Sequence, residues 1–183
     1  MQIFGLAGWS GSGKTTLVVK LLPELISRGF TVSTIKHTHH NFDIDKPGKD
    51  SHNHRTAGAH EVMLSSGNRW ALMHELSETP EPSVGELAER MTPVDLLLVE
   101  GFKNHPHAKL EVYRPEIGKP ALYPENDTIV AIASDTDLVS PDVPVFGLEA
   151  IPAIADFILS YVGLDGVGKE QEIKRVGGAN GAA

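Results

Sequence analysis

Apolar residues along the chain alternate between short continuous runs and runs with helical spacing. The first run contains Ile3, Phe4 and Leu6, and apolar positions then recur every three or four residues from Leu17 to Ile26. This order predicts a strand followed by an amphipathic helix, and residues 30–36 predict the next strand. Because Pro23 removes a backbone donor, we expect a kink in the second half of the helix.

The second half of the chain repeats this order. Residues 96–99 (LLLV) and 128–133 (TIVAIA) are apolar without alternation, as is typical of parallel strands covered on both faces. Residues 143–148 predict the last strand. A capping box predicts a helix over residues 83–91, and apolar residues at helical spacing predict another over 151–162.

Two apolar runs, residues 61–66 and 69–76, flank a Gly67-Asn68 turn and predict an antiparallel hairpin at the edge of a sheet. An unpaired edge strand invites association with a second chain. The hairpin is therefore a candidate surface for self-association. The alternative is an ordinary edge that Glu61 and Arg69 shield.

The order of elements predicts an α/β fold with a doubly wound, mostly parallel sheet and an antiparallel hairpin at its edge. In such a sheet, ligands bind at the carboxyl ends of the strands. We expect one nucleotide-binding domain over residues 1–163. Residues 164–183 turn to glycine and charge, which predicts a disordered tail.

Composition restricts the function classes further. The 183 residues are 40% hydrophobic and 22% charged, and no apolar run is long enough to span a bilayer. With no cysteine in the chain, disulfides and thiolate metal sites are excluded. A formal net charge of −8 disfavours binding to nucleic acid, which is itself a polyanion. Without a spanning run we expect no membrane partner. Because the first strand starts at Gln2, we expect no signal peptide and a cytoplasmic protein.

The stretch AGWSGSGKTT, residues 7–16, contains the phosphate-binding motif G-x-x-x-x-G-K-[ST] at Gly8, Gly13, Lys14 and Thr15. Glycines let successive backbone N–H groups converge on one anion, and the helix that follows adds its positive end. In this motif the lysine reaches the β- and γ-phosphates and the hydroxyl binds Mg²⁺. The candidate nucleotide-binding residues here are Gly8, Ser10, Gly11, Ser12, Gly13, Lys14, Thr15 and Thr16.

Magnesium in such a site also needs a carboxylate at the end of a central strand. The strand at residues 96–99 has Asp95 before it and Glu100 after it. Only Glu100 is expected at the edge with the phosphate loop, since Asp95 would be about 17 Å away along the strand. Lys14 and Glu100 are therefore the candidate catalytic residues, and Thr15 and Glu100 the candidate metal ligands.

Residues 36–55, KHTHHNFDIDKPGKDSHNHR, combine histidines with Asp43, Asp45 and Asp50. Imidazoles and carboxylates at short spacing allow a zinc or nickel site. No fixed ligand spacing such as H-E-x-x-H is present, however. A loop that faces phosphate or a pterin is favoured, because the segment follows the strand next to the phosphate-loop strand.

Three segments carry a family resemblance over residues 1–162: GLAGWSGSGKTTL; IKHTHHNFDIDKPGKDS with AGA at 57–59; and LLLVEGFK. Together they resemble the MobB family, adaptor proteins of molybdopterin-guanine dinucleotide biosynthesis. The resemblance implies a fold similar to P-loop GTPases of the signal-recognition and MinD-like class. It also implies GTP as ligand with Mg²⁺, weak hydrolysis and a homodimer. The implied partner is the molybdenum cofactor guanylyltransferase, and molybdopterin or molybdoenzymes are further candidates.

The resemblance also adds a loop that faces the nucleotide or the ligand of the partner. Its residues are Asp43, Asp45, Lys46, Lys49, Asp50 and Ser51, with Asp43 a third candidate metal ligand. The guanine signature N/T-K-x-D is absent, and Asp135 or Asp137 is as readily a turn acid as a base contact. Two other functions stay open, a metallochaperone NTPase and a small-molecule kinase.

Overall fold

A computed structural model describes residues 1–38, 42–138 and 142–165. Within it the chain forms two compact units. The first comprises residues 1–37 and the chain from residue 86 onward, and the second comprises residues 38–85. The first unit contains the main sheet and the second contains the hairpin.

Eight strands and four helices make up the described chain. The strands are β1 (Gln2–Ala7), β2 (Val32–Lys36), β3 (Glu61–Ser65), β4 (Trp70–His74), β5 (Leu96–Glu100), β6 (Lys109–Tyr113), β7 (Ile129–Ser134) and β8 (Val145–Gly147). The helices are α1 (Lys14–Ser27), α2 (Asp50–Thr56), α3 (Val84–Glu89) and α4 (Ile151–Tyr161). Two short 3-10 helices follow β6, at Pro115–Ile117 and Tyr123–Glu125.

The first unit is built on a six-stranded sheet in the order β2-β5-β1-β6-β7-β8. Every described pairing in it is parallel, so all six carboxyl ends lie at one edge. All five residues of β5 are buried, as the continuous LLLV run predicts for a central strand. This confirms the α/β class with a parallel sheet.

Helices α1 and α4 pack together against this sheet in one apolar core. Each contributes four buried residues at helical spacing: Leu17, Val18, Leu21 and Leu25 from α1, and Ile154, Ala155, Ile158 and Leu159 from α4. Pro23 lies inside α1 on its exposed side. The core also includes Leu164, the first residue of the predicted tail. Residues 166–183 lie outside the described chain.

The second unit contains α2 and the predicted hairpin. Strands β3 and β4 pair antiparallel, with Met63 opposite Leu72 and Ser65 opposite Trp70. They form a two-stranded sheet of their own, so the expected place at an edge of the main sheet is wrong. The turn signal specifies which two strands pair, and it does not specify whether a third joins them.

The sequence reading missed β6 and α2. In β6 the charged residues Lys109 and Glu111 have no exposed surface, although charge at alternate positions is typical of a strand with one solvated face. Helix α2 has no buried residue and therefore no apolar periodicity to detect. None of the described helices is long and apolar enough to cross a membrane.

Candidate functional site

The phosphate loop, residues 8–15, joins β1 to α1 at the carboxyl edge of the sheet. Gly8, Gly11 and Gly13 have φ angles of +135°, +84° and +100°, a region that favours glycine. A Cβ on Gly8 would lie 2.4 Å from the Val112 carbonyl oxygen and 2.8 Å from Ser12 Oγ. The loop therefore requires glycine at Gly8 for both space and conformation.

The side chain of Lys14 binds back to the backbone of this loop. Its Nζ donates to the carbonyl oxygens of Gly8 at 2.9 Å and Trp9 at 2.8 Å. Burial lowers the pKa of Lys14, and Glu100 opposes this shift, while nearby Lys36 and Lys103 lower the pKa further. The ammonium is thus held at the mouth of the loop among other cations, an arrangement suited to a polyanionic ligand.

Ser12 has a buried side chain whose Oγ finds no hydrogen-bond partner among the described residues. A buried hydroxyl without a partner is rare, because leaving it unpaired costs free energy. An oxygen-rich anion in the loop would supply an acceptor.

Thr15, Glu100 and Lys36 form a hydrogen-bonded cluster beside the loop. Thr15 Oγ1 donates to Glu100 Oε1 at 2.7 Å, and Lys36 Nζ donates to Thr15 Oγ1 at 3.0 Å. Lys36 also lies 3.2 Å from Glu100 Oε1. Hydroxyl and carboxylate oxygens are ligands that Mg²⁺ prefers. The two predicted metal ligands of this unit are therefore in direct contact.

Strand register explains why these residues meet. Glu100 is the last residue of β5, opposite Leu6 of β1 on one side and Lys36 of β2 on the other. Gly101 then turns the chain with a φ of +98°, and a Cβ there would lie 2.9 Å from that of His37. Asp95, at the far end of β5, accepts from the backbone and hydroxyl of Thr31.

Arg114 holds the loop from the β6 side. Its Nε donates to the Ser12 carbonyl oxygen at 3.2 Å, and its Nη1 lies 3.0 Å from Asp135 and 3.2 Å from Glu116. Asp135 is thereby engaged in an ion pair. Asp137, the other acid considered for base recognition, is exposed.

Trp9, inside the loop, is surrounded by residues that follow β5 and β6. Its Nε1 donates to the Pro120 carbonyl oxygen at 2.7 Å. The Nζ of Lys103 lies 4.3 Å from the centre of the indole ring, and that of Lys119 lies 5.8 Å from a ring centre. Both distances are within the range of cation–π attraction.

Glu111 anchors the segment that carries Pro120. Its carboxylate accepts from the backbone N–H of Leu122 at 2.8 and 3.0 Å and of Tyr123 at 2.9 Å. Burial raises the pKa of Glu111, and these two hydrogen-bond donors oppose the shift. The buried carboxylate thus fixes the chain that lies against Trp9.

The remaining predicted site residues lie in the second unit. Arg55 pairs with Asp43 at 2.7 Å and with Asp45 at 2.9 Å, and this contact lowers the pKa of Asp45. Arg55 belongs to helix α2, whereas Asp43 and Asp45 precede that helix. Lys46, Lys49 and Asp50 are exposed and Ser51 is partly buried.

No three histidine or acidic side chains among the described residues are placed to hold a metal ion together. His39 and His40 of the histidine-rich segment lie outside the described residues. The described part of that segment instead forms the Arg55 cluster and α2.

Comparison with known proteins decides the family. A family model described as "MobB: Molybdopterin guanine dinucleotide synthesis protein B" matches residues 3–135. The chain belongs to the MobB family. This confirms the resemblance carried by the phosphate loop, the KPGKDS segment and VEGFK.

Two relatives and one solved structure agree with the membership in MobB. The molybdopterin-guanine dinucleotide biosynthesis adapter protein of Haemophilus influenzae is 45% identical over 165 residues, covering 88% of this chain and 90% of that protein. The Escherichia coli K12 adapter protein is 42% identical over 165 residues, covering 88% and 94%. A MobB protein homolog from Bacillus stearothermophilus shares the fold, with a TM-score of 0.67 at 24% identity over 89% of this chain and 99% of that one.

The residues present fit a nucleotide with its magnesium ion. Gly8 leaves room that a Cβ would fill, and Ser12 offers an unpaired hydroxyl. Thr15 and Glu100 supply adjacent oxygen ligands. Sequence reasoning missed Lys36, although its place at the end of the strand beside β5 could have revealed it.

Proposed function

We propose that this MobB chain is a GTP-binding adaptor in molybdopterin-guanine dinucleotide biosynthesis. The adaptor role rests on its membership in the MobB family and on the similarity to adapter proteins that are 45% and 42% identical to it. The observation that carries nucleotide binding is the contact between Thr15 and Glu100 at 2.7 Å beside the phosphate loop.

Each residue of the loop has a role in this proposal. Backbone N–H groups of residues 11–16 and the Lys14 ammonium hold the phosphates, and Thr15 and Glu100 hold Mg²⁺. The ion would neutralise phosphate charge and orient the β- and γ-phosphates. Lys36, which contacts both ligands, offsets the charge of Glu100 and keeps its carboxylate directed at Thr15.

Weak hydrolysis distinguishes this role from that of a kinase. A phosphotransferase brings a mobile arginine onto the transferring phosphoryl group. Arg114, the arginine held against the loop at Ser12, is engaged by Glu116 and Asp135. Its guanidinium therefore serves to fix the loop, which favours a binding module over a phosphotransferase.

The proposed partners are a molybdenum cofactor guanylyltransferase and a second copy of this chain. The hairpin supports the homodimer, since Met63, Trp70 and Leu72 share one face of it and are 61%, 64% and 43% exposed. An apolar face of this kind marks a protein interface. Asp43 as a metal ligand and Lys46, Lys49, Asp50 and Ser51 as ligand contacts are part of the same proposal.

Reconstitution tests the function. Adding the chain to a guanylyltransferase with molybdopterin, Mg²⁺ and limiting GTP should raise the yield of the guanine dinucleotide cofactor. The Lys14→Ala variant should not, whereas Lys20→Ala, which removes a lysine of α1 paired with Glu149, should act like the parent. An equal yield with and without the parent chain at every GTP concentration would overturn the adaptor role.

A further inference from the structure

Two lysines converge on the indole of Trp9 just outside the phosphate loop. Lys103 Nζ lies 4.3 Å from the centre of the ring and Lys119 Nζ lies 5.8 Å from a ring centre. No carboxylate among the described residues lies within ion-pair distance of either ammonium. The chain has a formal net charge of −8, so acidic residues outnumber basic ones. Two lysines that contact the same ring and pair with no acid in the described part of the chain are therefore unusual.

The backbone around Lys103 is held in an unusual conformation. Gly101 and Phe102 have successive φ angles of +98° and +47°, and a positive φ is uncommon for an aromatic residue. Phe102 is buried, with its ring 4.4 Å from that of His37 and 4.6 Å from that of His105. Asn126 donates to the Lys103 carbonyl oxygen at 2.9 Å. Strain that is fixed from several sides is typical of functional positions, and here it directs Lys103 toward Trp9.

The backbone after Lys119 is fixed as well. Glu111, with no exposed surface, accepts from the backbone of Leu122 and Tyr123, and the Pro120 carbonyl accepts from Trp9. Lys119 itself is exposed. Both ammoniums are therefore carried by segments that the protein holds in place against one aromatic ring.

Two like charges at one ring repel each other, and an anion beside them relieves that repulsion. The two ammoniums beside the indole suit a phosphate group, whose oxygens would accept hydrogen bonds from the lysines. The phosphate loop has cations of its own, Lys14 and Lys36. Lys103 is near enough to act on Lys14, so the Lys103 and Lys119 pair lies next to these cations.

We propose that Trp9, Lys103 and Lys119 form a second anion site that binds the phosphate group of a phosphate monoester next to the nucleotide. This inference rests on the proposed function, because it places the second ligand beside a bound nucleotide. It gives the adaptor a means of holding two phosphorylated ligands side by side. The nucleotide's own terminal phosphate is the competing source of the same chemistry.

Trp9 itself reports on this site, because the chain has only two tryptophans and the other, Trp70, is exposed on the hairpin. In a Trp70→Phe background, phenyl phosphate is titrated into full-length protein saturated with Mg²⁺ and a non-hydrolysable GTP analogue, at constant ionic strength. We expect a saturable change in indole emission with phenyl phosphate and none with phenol.

Lysine variants then identify the site. Lys103→Met and Lys119→Met should each weaken phenyl phosphate binding by about tenfold or more, as expected for loss of a charge-assisted contact. Affinity for the GTP analogue should stay within about fivefold in Lys119→Met, because Lys119 is not among the cations that act on Lys14. Lys20→Met, a lysine paired with Glu149 on the surface of α1, should leave both affinities unchanged.

Two results would overturn the proposal. One is the absence of a saturable response, or a response that the lysine variants leave unchanged. The other is a loss in Lys103→Met of GTP affinity without loss of GDP affinity, which would assign the lysines to the γ-phosphate of the nucleotide. If the parent binds no nucleotide, the proposed function fails, and the same titration without nucleotide still tests the lysine pair.

Discussion

Thr15 and Glu100 are 85 residues apart in sequence, yet Thr15 Oγ1 donates to Glu100 Oε1 at 2.7 Å. Helix α1 supplies the hydroxyl and the end of the central strand β5 supplies the carboxylate. Parallel pairing of β1 with β5 places Glu100 opposite Leu6, just before the loop. The contact therefore follows from the topology of the sheet.

Replacing Glu100 tests whether this contact marks a magnesium site. Glu100→Gln keeps the shape of the side chain but removes its charge, so the gain in GTP affinity that Mg²⁺ provides should fall by about tenfold or more. Calorimetric titration with and without Mg²⁺ measures that gain. Asp95→Asn, at the opposite end of β5, is the matched control and should retain it; an equal loss in both variants would contradict the assignment.

Gly8 tests the shape of the loop. In Gly8→Ala the new Cβ would lie 2.4 Å from the Val112 carbonyl oxygen, and the alanine would have to adopt a φ of +135°. We therefore expect nucleotide binding to be lost and the free energy of unfolding to fall by roughly 3 kcal/mol. Gly67→Ala has no atom within 4 Å of its Cβ and should change stability by less than about 0.5 kcal/mol. Urea unfolding and GTP titration of both variants give the comparison. A Gly8→Ala protein with parental affinity would show that the loop is not the phosphate site.

The hairpin face tests the homodimer. Met63→Lys places a charge on the face that Met63 shares with Trp70 and Leu72, so a dimer that buries this face should dissociate to monomers. Val19→Lys, on α1, changes an apolar residue that is similarly exposed, at 62% against 61% for Met63, and should leave the dimer intact. Sedimentation velocity of the parent and of both variants distinguishes dimers from monomers. A monomeric parent, or a dimeric Met63→Lys variant, would reject this interface.

His107 predicts a loss of stability in acid. Burial, together with nearby Lys109 and His105, lowers the pKa of His107 from 6.5 to about 4. Between these values the unfolded chain binds a proton that the folded chain does not, so His107 should lower the free energy of unfolding as the pH falls from 6.5 to 4, by at most about 3 kcal/mol.

The measurement is the slope of unfolding free energy against pH. His107→Leu should have a shallower slope than the parent over this range, whereas His54→Gln, at an exposed position of α2, should match the parent. A His107→Leu slope equal to that of the parent would mean that His107 titrates alike in both states.

The sequence predicts much of this site because two of its parts are local signals. The spacing of Gly8, Gly13, Lys14 and Thr15 defines the loop, and the apolar run before Glu100 identifies a central strand. The wall of the loop on the β6 side was not predictable in this way. Lys109 and Glu111 interrupt the apolar residues of β6, and the sequence does not indicate that these two charged side chains are buried.

Contacts that depend on tertiary structure were also missed. Trp9 and Pro120 are 111 residues apart, and nothing near either position predicts that a backbone carbonyl meets the indole. The hairpin was identified by its turn, but its separation from the main sheet depends on what the rest of the chain packs against. Periodicity thus identifies elements, whereas the partners of a buried charge emerge only from the folded chain.

The central claim is that the phosphate loop binds GTP through Lys14. Calorimetric titration of GTP with Mg²⁺ into the parent, Lys14→Ala and Lys20→Ala proteins tests it directly, with ATP titrated in parallel. We expect the parent to bind GTP in preference to ATP, Lys14→Ala to lose about a hundredfold in affinity or more, and Lys20→Ala to match the parent. Parental GTP affinity in Lys14→Ala would contradict the account.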